Sequence, residues 1–253
     1  MKKTVAIILL LAGIFAFSAC NLSDNSNEST DESPFICISD KVADKAFTLN
    51  ETPFTSEQIE KINAILDTGE NTYLEIDETG GLSYTNTNIE TDNPSLIFIT
   101  KKRAVKMSKK YLQSMDLLPS GDYDVDLLDL GVIHFRHTYD DVPIFTDDYS
   151  EGIILSFTGE GIRRLKYCWS TVTPVESESQ MRITLSEAKQ LYLDFMEEKY
   201  EDHPTFGVPS KVPYQQVYYC ENGQSVPCYL FSDEEPLMMP VCVNAVTGDI
   251  TEW

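Results

Sequence analysis

One plan occurs twice in the second part of the chain and limits the fold more than any other feature: an amphipathic helix is followed by short alternating strands. The first copy covers residues 101–178. Its helix, "KKRAVKMSKKYLQSM", carries one apolar stripe, at Ala104, Met107, Tyr111 and Met115. The strand candidates "GVIHFRHTY", "EGIILSF" and "RRLKYCW" follow, and "TGEG" joins the last two as a hairpin turn.

The second copy covers residues 179–253. Thr184 and Glu187 predict a capping box at the start of "ITLSEAKQLYLDFMEEKY", and "VPYQQVYYC", "SVPCYLF" and "MPVCVNAV" follow as strands. The apolar stripe of this helix comprises Leu185, Ala188, Tyr192, Phe195 and Met196. We therefore predict an α+β fold of tandem helix-on-antiparallel-sheet units, each with its helix stripe on the sheet.

Residues 35–100 form a mixed N-terminal region before these units. "FTSEQIEKINAIL" predicts a helix with a capping box from Thr55 to Gln58. "TYLEID", "TGG" and "LSYTN" predict a hairpin, and "SLIFIT" predicts a buried strand. The region carries no motif that indicates a function.

The N-terminus, "MKKTVAIILLLAGIFAFSAC", has the layout of a secretory signal: two lysines, an apolar run and small residues before Cys20. The apolar run, Val5–Phe17, is shorter than the roughly 20 residues that a membrane span needs. Its end resembles a bacterial lipobox, whose cysteine is acylated. We expect residues 1–20 to be a lipoprotein signal peptide with Cys20 as the lipid attachment site; the alternative is an ordinary cleaved signal with a chance cysteine.

The stretch after Cys20, "NLSDNSNESTDESP" at residues 21–34, has almost nothing apolar to bury and predicts a disordered tether. Together with the signal it predicts a protein anchored by lipid to the extracytoplasmic face of the cell membrane. The net charge is −22, and loss of residues 1–20 removes two lysines and no acid, which gives about −24. Such acidity argues against nucleic acid as a partner.

Five cysteines remain after Cys20: Cys37, Cys168, Cys220, Cys228 and Cys242. They show neither a CxxC pair nor zinc-site spacing, so we predict no metal site. If "PCYLF" and "PVCVNA" are neighbouring antiparallel strands, Cys228 and Cys242 lie opposite each other and form a disulfide. The alternative is two buried thiols packed as small apolar side chains.

The stretch "HFRHTYDDVPIF" at residues 134–145 holds two of the chain's three histidines. Alternation along a strand places His134 on one face and His137 on the other, with the apolar set, which predicts a hydrogen-bonded histidine rather than a metal ligand. No HExxH, GxSxG or phosphate-loop motif occurs, so we predict no catalytic residue, no cofactor and no enzyme activity.

Two stretches resemble PepSY-type and thermolysin-propeptide domains. In residues 134–167 the matching positions are Arg136, Tyr139, Val142, Pro143 and Gly161, while Asp141 stands where the family usually has glycine. In the last 75 residues they are Ser186, Glu187, Ala188, Ala245, Thr247 and Gly248, while Asn244 replaces the more usual aspartate. The resemblance covers about 60% of the chain, and it is carried by the order of short motifs.

This resemblance implies a non-catalytic binding module of the kind that accompanies or restrains extracellular peptidases. It also implies a likeness to membrane-anchored regulators of envelope sensor kinases. We therefore expect a lipoprotein that binds and regulates another envelope protein, with a peptidase as the first candidate. The corner formed by Tyr139, Val142, Pro143 and Phe145 is a candidate contact with the partner, and a packing role is the alternative.

Six of the 17 basic residues of the mature chain lie in one helix: Lys101, Lys102, Arg103, Lys106, Lys109 and Lys110. They predict either contact with an acidic partner, lipid headgroups or wall polymer, or a solvated face. A competing hypothesis is therefore a structural lipoprotein that binds wall polymer through this helix. A further hypothesis is an envelope hydrolase with an unrecognised carboxylate or cysteine site.

Overall fold

The computed structural model describes residues 34–89, 100–129, 132–146, 151–158, 160–178, 181–201, 209–232 and 240–252. The predicted signal, the tether up to residue 33, the strand candidate "SLIFIT" up to residue 99 and the predicted turn at 233–236 lie outside the described residues.

The described residues form three helices and 14 strands. The helices are α1 (Ser56–Ile65), α2 (Lys101–Ser114) and α3 (Leu185–Lys199). The first seven strands are β1 (Phe35–Cys37), β2 (Lys45–Asn50), β3 (Thr72–Ile76), β4 (Leu82–Asn86), β5 (Tyr123–Asp129), β6 (Val132–Tyr139) and β7 (Val142–Thr146). The other seven are β8 (Gly152–Thr158), β9 (Gly161–Cys168), β10 (Thr171–Glu178), β11 (Val212–Glu221), β12 (Gln224–Phe231), β13 (Val241–Asn244) and β14 (Ile250–Glu252).

The predicted fold class, an α+β fold of tandem helix-on-antiparallel-sheet units, is wrong. The described chain is 46% strand and 21% helix, and its strands form a large mixed sheet. Strand β11 pairs in parallel with both β1 and β7, where the prediction has only antiparallel meanders. The region before residue 101 also supplies strands: β2 pairs with β10 and β4 pairs with β9. Pairing between distant segments therefore builds a β-rich fold.

The chain divides into two compact units. Unit 1 contains described residues 34–44, 181–217 and 227–252, and unit 2 contains described residues 45–178 and 218–226. Strands β11 and β12 each contribute residues to both units, because the division cuts through them at 217/218 and 226/227.

Unit 1 consists of helix α3 and the strand order β1-β11-β12-β13-β14. Thr184 and Glu187 form the predicted capping box, so the start of α3 is confirmed. Ala188 and Tyr192 are buried as predicted, whereas Leu185 and Phe195 are partly buried. The ring of Phe35, on β1, packs edge-on against Tyr192 and Phe231, with centroids 6.0 and 5.7 Å away. Aromatic packing therefore fixes β1 to the core of this unit.

Unit 2 has the strand order β10-β2-β12-β11-β7-β6-β8-β9-β4-β3, in which β12 and β11 take part through their residues 224–226 and 218–221. Strand β5 pairs in antiparallel orientation with β6, from Val132 to His137. Helices α1 and α2 cover one face of the sheet, and their buried residues belong to one apolar core. The helices and their C-caps contribute five buried residues to this core: Ile62, Leu66, Ala104, Leu112 and Met115.

The buried face of α2 differs slightly from the predicted stripe. Ala104, Ser108, Leu112 and Met115 are fully buried, whereas Met107 and Tyr111 are only partly buried. The observed buried face includes the polar residue Ser108. Its burial is tolerated because its hydroxyl donates a hydrogen bond to the carbonyl of Ala104 at 3.0 Å. A stripe predicted from apolar positions alone leaves Ser108 out, so the predicted face differs from the observed one by a fraction of a turn.

The predicted turns hold in unit 2. The hairpins β3–β4 and β8–β9 form as expected. The turn between β6 and β7 is Asp140–Asp141, with φ of 51° and 63°, and Asn222–Gly223 between β11 and β12 has φ of 50° and 76°. Two successive left-handed residues match the right-handed twist of a tight hairpin. Among the described residues, no helix is long and apolar enough to span a bilayer.

Candidate functional site

Unit 2 contains a cavity of about 960 Å³. It lies where the ends of β2 and β9 meet the hairpin turn at 77–81 and the turn at 222–223. The charged side chains on its walls are Glu51, Glu75, Asp77, Glu151 and Lys166. Four acids against one base give the cavity a negative character, so a cationic or amide-rich segment suits it better than an anion.

Glu151 is the buried acid of this cavity, with a side chain that is 1% exposed. Its carboxylate accepts two hydrogen bonds from Ser170, one from the backbone N–H at 2.8 Å and one from the hydroxyl at 2.9 Å. Nδ1 of His137 lies 2.6 Å from Oε1 of the same carboxylate. A buried carboxylate is costly unless donors surround it, and these three groups supply them.

His137 is held from a second side by a ring. The imidazole stacks on Trp169, with centroids 4.2 Å apart and planes 23° apart, and the indole N–H of Trp169 donates to the carbonyl of Ser120 at 3.1 Å. The side chain is 3% exposed. The prediction of a buried, hydrogen-bonded histidine is therefore confirmed.

The order of these groups decides what they can do. In a nucleophile relay the imidazole bonds the hydroxyl that it activates. Here Glu151 lies between Ser170 and His137, so both donate to the carboxylate and the imidazole does not reach the serine hydroxyl. The cluster thus fixes one wall of the cavity in place rather than activating the serine. Burial, with the negative charge of Glu151, raises the pKa of the neighbouring Tyr167 to about 12, so its hydroxyl stays protonated.

The hairpin turn that closes another wall depends on Asp77. One carboxylate oxygen accepts from the hydroxyl of Thr79 at 2.7 Å and from the backbone N–H of Gly81 at 2.7 Å, and these bonds lower the pKa of Asp77. Gly80 has φ of 97°, and a Cβ there would lie 2.1 Å from the carbonyl oxygen of Thr52. The turn therefore requires glycine and uses Asp77 to hold its own shape.

Strand β3 runs beside the cavity and ends the strand order of unit 2. Among the described residues it pairs only with β4. Leu74 and Ile76 pack towards the apolar core, while Tyr73 and Glu75 point to the other face. Tyr73 is 67% exposed, and Glu75 lines the cavity. A strand edge that no further described strand covers, an exposed aromatic side chain and a polar cavity thus lie together.

The side chains of His134 and Arg136 lie on the face of β6 opposite His137, as predicted. Arg136 pairs with Asp126 at 2.9 Å, yet its Nε and the Nδ1 of His134 are buried without a hydrogen-bond partner. Burial, and then the charge of Arg136, lower the pKa of His134 to about 3, so its imidazole is neutral. The two histidines are separated by the sheet and do not act together.

The predicted contact corner is largely packed. Val142 is fully buried and Pro143 is buried, whereas Phe145 is partly buried. The ring of Tyr139 contacts Phe47, with centroids 4.9 Å apart. A partner contact at this corner stays a prediction, and Val142 and Pro143 contribute mainly to packing.

The predicted disulfide partners, Cys228 and Cys242, are both buried and are not bonded to each other in the structure. Cys228 lies opposite Asn244 and Cys242 opposite Leu230, so the two cysteines are diagonal neighbours rather than a directly opposed pair. A hydrogen bond with Cys228, together with burial, raises the pKa of the Cys242 thiol. A disulfide between them stays a prediction. In the described part of the chain, no group of three or more His, Cys, Asp and Glu side chains could hold a metal ion.

The chain matches no protein-family model, and no curated protein is similar to it at a significant level. The resemblance to PepSY-type domains therefore rests on the order of motifs in the sequence, and it stays a prediction.

Proposed function

We propose that the protein is a non-catalytic lipoprotein, anchored at Cys20 on the extracytoplasmic face of the membrane, that binds and regulates another envelope protein, a peptidase. It captures an extended segment of that partner along the edge of β3 that no other described strand covers. Main-chain hydrogen bonds supply the affinity in this binding mode, and side-chain pockets beside the strand supply the specificity.

The observation that carries the proposal is the direction of the β3 amides. The N–H of Asp77 bonds the carbonyl of Gly81 and that of Thr87 bonds Asn71, which fixes the alternation of the ladder between β3 and β4. Hydrogen-bonded and non-hydrogen-bonded pairs alternate in an antiparallel ladder. The N–H groups of Leu74 and Ile76 therefore point away from β4 and can receive an added strand.

The strand at the other end of the unit 2 order is less suited to this role. Strand β10 contains Pro174, which has no N–H to donate. Strand β3 contains no proline, and the exposed ring of Tyr73 offers an apolar anchor beside the cavity acids Glu51 and Glu75. These features favour a partner segment that is extended and carries a basic side chain next to an apolar one.

Affinity capture from an envelope extract tests the proposal. The mature chain is immobilised, and the retained proteins are identified by mass spectrometry and assayed for peptidase activity with and without added chain. We expect a peptidase to be retained and its activity to change. Tyr73→Ala should reduce retention at least about 10-fold, since an exposed aromatic anchor contributes about 2 kcal/mol or more. Val175→Ala, a change at an exposed position on β10, is the matched control.

Two results would overturn the proposal. Retention of a sensor domain without a peptidase would assign the partner to the other class, and retention that is equal for the Tyr73 and Val175 variants would remove β3 as the contact. The anchor is tested separately with Cys20→Ala, which should lose fatty-acid label and leave the membrane fraction.

A further inference from the structure

Helix α2 presents its basic residues directly opposite its buried face. The buried residues are Ala104, Ser108, Leu112 and, at the cap, Met115. With 3.6 residues per turn, the four exposed residues Lys102, Arg103, Lys106 and Lys110 lie within an arc of about 100°, on the far side of the helix axis. We call these four residues the basic stripe.

The basic stripe is not neutralised within the part of the chain that the structure describes. Two other basic residues of α2 are engaged: Lys101 lies 4.0 Å from Asp126, and Lys109 lies over the ring of Tyr123 at 5.1 Å. None of the four stripe residues forms an ion pair with a described acidic residue, although the chain has 41 acids. The stripe is therefore a local positive surface on a strongly negative protein.

From this surface we infer that the basic stripe binds the anionic phospholipid headgroups of the membrane that carries the protein. The stripe consists of three lysines and one arginine and has no large apolar side chain, whereas protein–protein contacts are depleted in lysine and centred on apolar residues. A diffuse anionic surface needs only the charges. The inference thus favours a lipid surface over a protein partner.

The choice of a lipid surface rests on the lipid anchor of the proposed function. The 14 residues between Cys20 and Phe35 span at most about 50 Å when extended. An anchored protein is thus held at high effective concentration near the headgroups, where weak contacts suffice. Because salt screens charges beyond roughly 8 Å, the stripe acts only in contact with the surface, and the remaining acidic surface opposes any other orientation.

The inference predicts that the chain from residue 21 onward binds vesicles of about 30% phosphatidylglycerol in phosphatidylcholine, and that added salt weakens this binding. Each basic residue close to an anionic leaflet strengthens binding about five-fold, so the triple variant Lys102→Gln, Lys106→Gln and Lys110→Gln should weaken binding on the order of 100-fold. Glutamine has nearly the helix propensity of lysine, so α2 should remain folded. Circular dichroism checks this.

The matched control replaces Lys41, Lys45 and Lys211 by Gln, which gives the same net charge from three exposed lysines outside α2. It should weaken vesicle binding by no more than a few-fold, and Tyr73→Ala should leave it unchanged. Three results would each overturn the inference. The two triple variants could lose vesicle binding equally, or the unchanged chain could fail to bind anionic vesicles. The third is binding to purified anionic wall polymer that vesicles do not compete away. If the Tyr73→Ala variant loses partner capture but binds vesicles normally, then partner binding and vesicle binding use different surfaces. Failure of the proposed function can then be told apart from failure of this inference.

Discussion

The imidazole of His137 and the carboxylate of Glu151 meet at 2.6 Å although 14 residues separate them in the chain. The contact follows from strand register. Arg136 on β6 lies opposite Gly152 on β8, so the adjacent residues His137 and Glu151 also face each other. Ser170, at the start of the segment after β9, closes the cluster with two further donors. One carboxylate thereby joins three parts of unit 2 and forms a wall of its cavity.

Replacing Glu151 by Ala should destabilise the protein by about 3–5 kcal/mol, because three buried donors lose their acceptor at once. Glu160→Ala, a change at an exposed position in the same unit, should alter the free energy of unfolding by no more than about 0.5 kcal/mol. Urea unfolding followed by tryptophan fluorescence and circular dichroism measures both. A loss below about 1 kcal/mol for the Glu151 variant would show that water replaces the carboxylate without cost.

His134 should make the protein less stable in acid. Its folded pKa, about 3, lies below the ordinary value of 6.5, so the unfolded chain binds a proton that the folded chain refuses. Stability is complete above about pH 6.5 and falls as the pH drops towards about 3. Between pH 6 and 4 the free energy of unfolding should fall by about 1.4 kcal/mol per pH unit more steeply than in His134→Gln. Parallel curves for the two proteins would show that the imidazole takes up its proton in the folded state.

The thiols should react in the order of their exposure. Cys37 is exposed, whereas Cys228 and Cys242 are buried and the pKa of Cys242 is raised. N-ethylmaleimide should therefore label Cys37 first and reach Cys228 and Cys242 only in denaturant. Timed labelling with peptide mapping measures this order. A Cys228–Cys242 cross-linked peptide in the unreduced map would show that β12 and β13 shift to bring the diagonal pair together.

Local chemistry made the helices and turns predictable. The capping boxes at Thr55 and Thr184 and the two-residue turn at Asn222–Gly223 depend on side chains a few positions apart, and all three form as expected. The order of the strands does not depend on such neighbours. Alternation shows which face of a strand is buried but not which strand lies next to it, so the parallel pairs of β11 and the insertion of β2 could not be predicted.

The candidate site shows the same division. The sequence placed His137 on the apolar face of its strand, and a hydrogen-bonded partner followed from its burial. Its partner Glu151 stands before "GIILSF" as an ordinary charge at the start of a strand, and only the register of β6 with β8 brings the two together. The exposure of Tyr73 could not be predicted either, because the alternation of "TYLEI" does not show which of its two faces meets the core.

Hydrogen exchange at strand β3 tests the central claim most directly. In the protein alone, the amides of Leu74 and Ile76 should exchange quickly, because they point away from β4, while those of Tyr73 and Glu75 should be protected by their pairing with Thr85 and Ser83. Binding of the captured partner should slow exchange at Leu74 and Ile76 at least about 10-fold and leave Tyr73 and Glu75 nearly unchanged. A bound partner that leaves the Leu74 and Ile76 amides as fast as before would contradict capture along this edge.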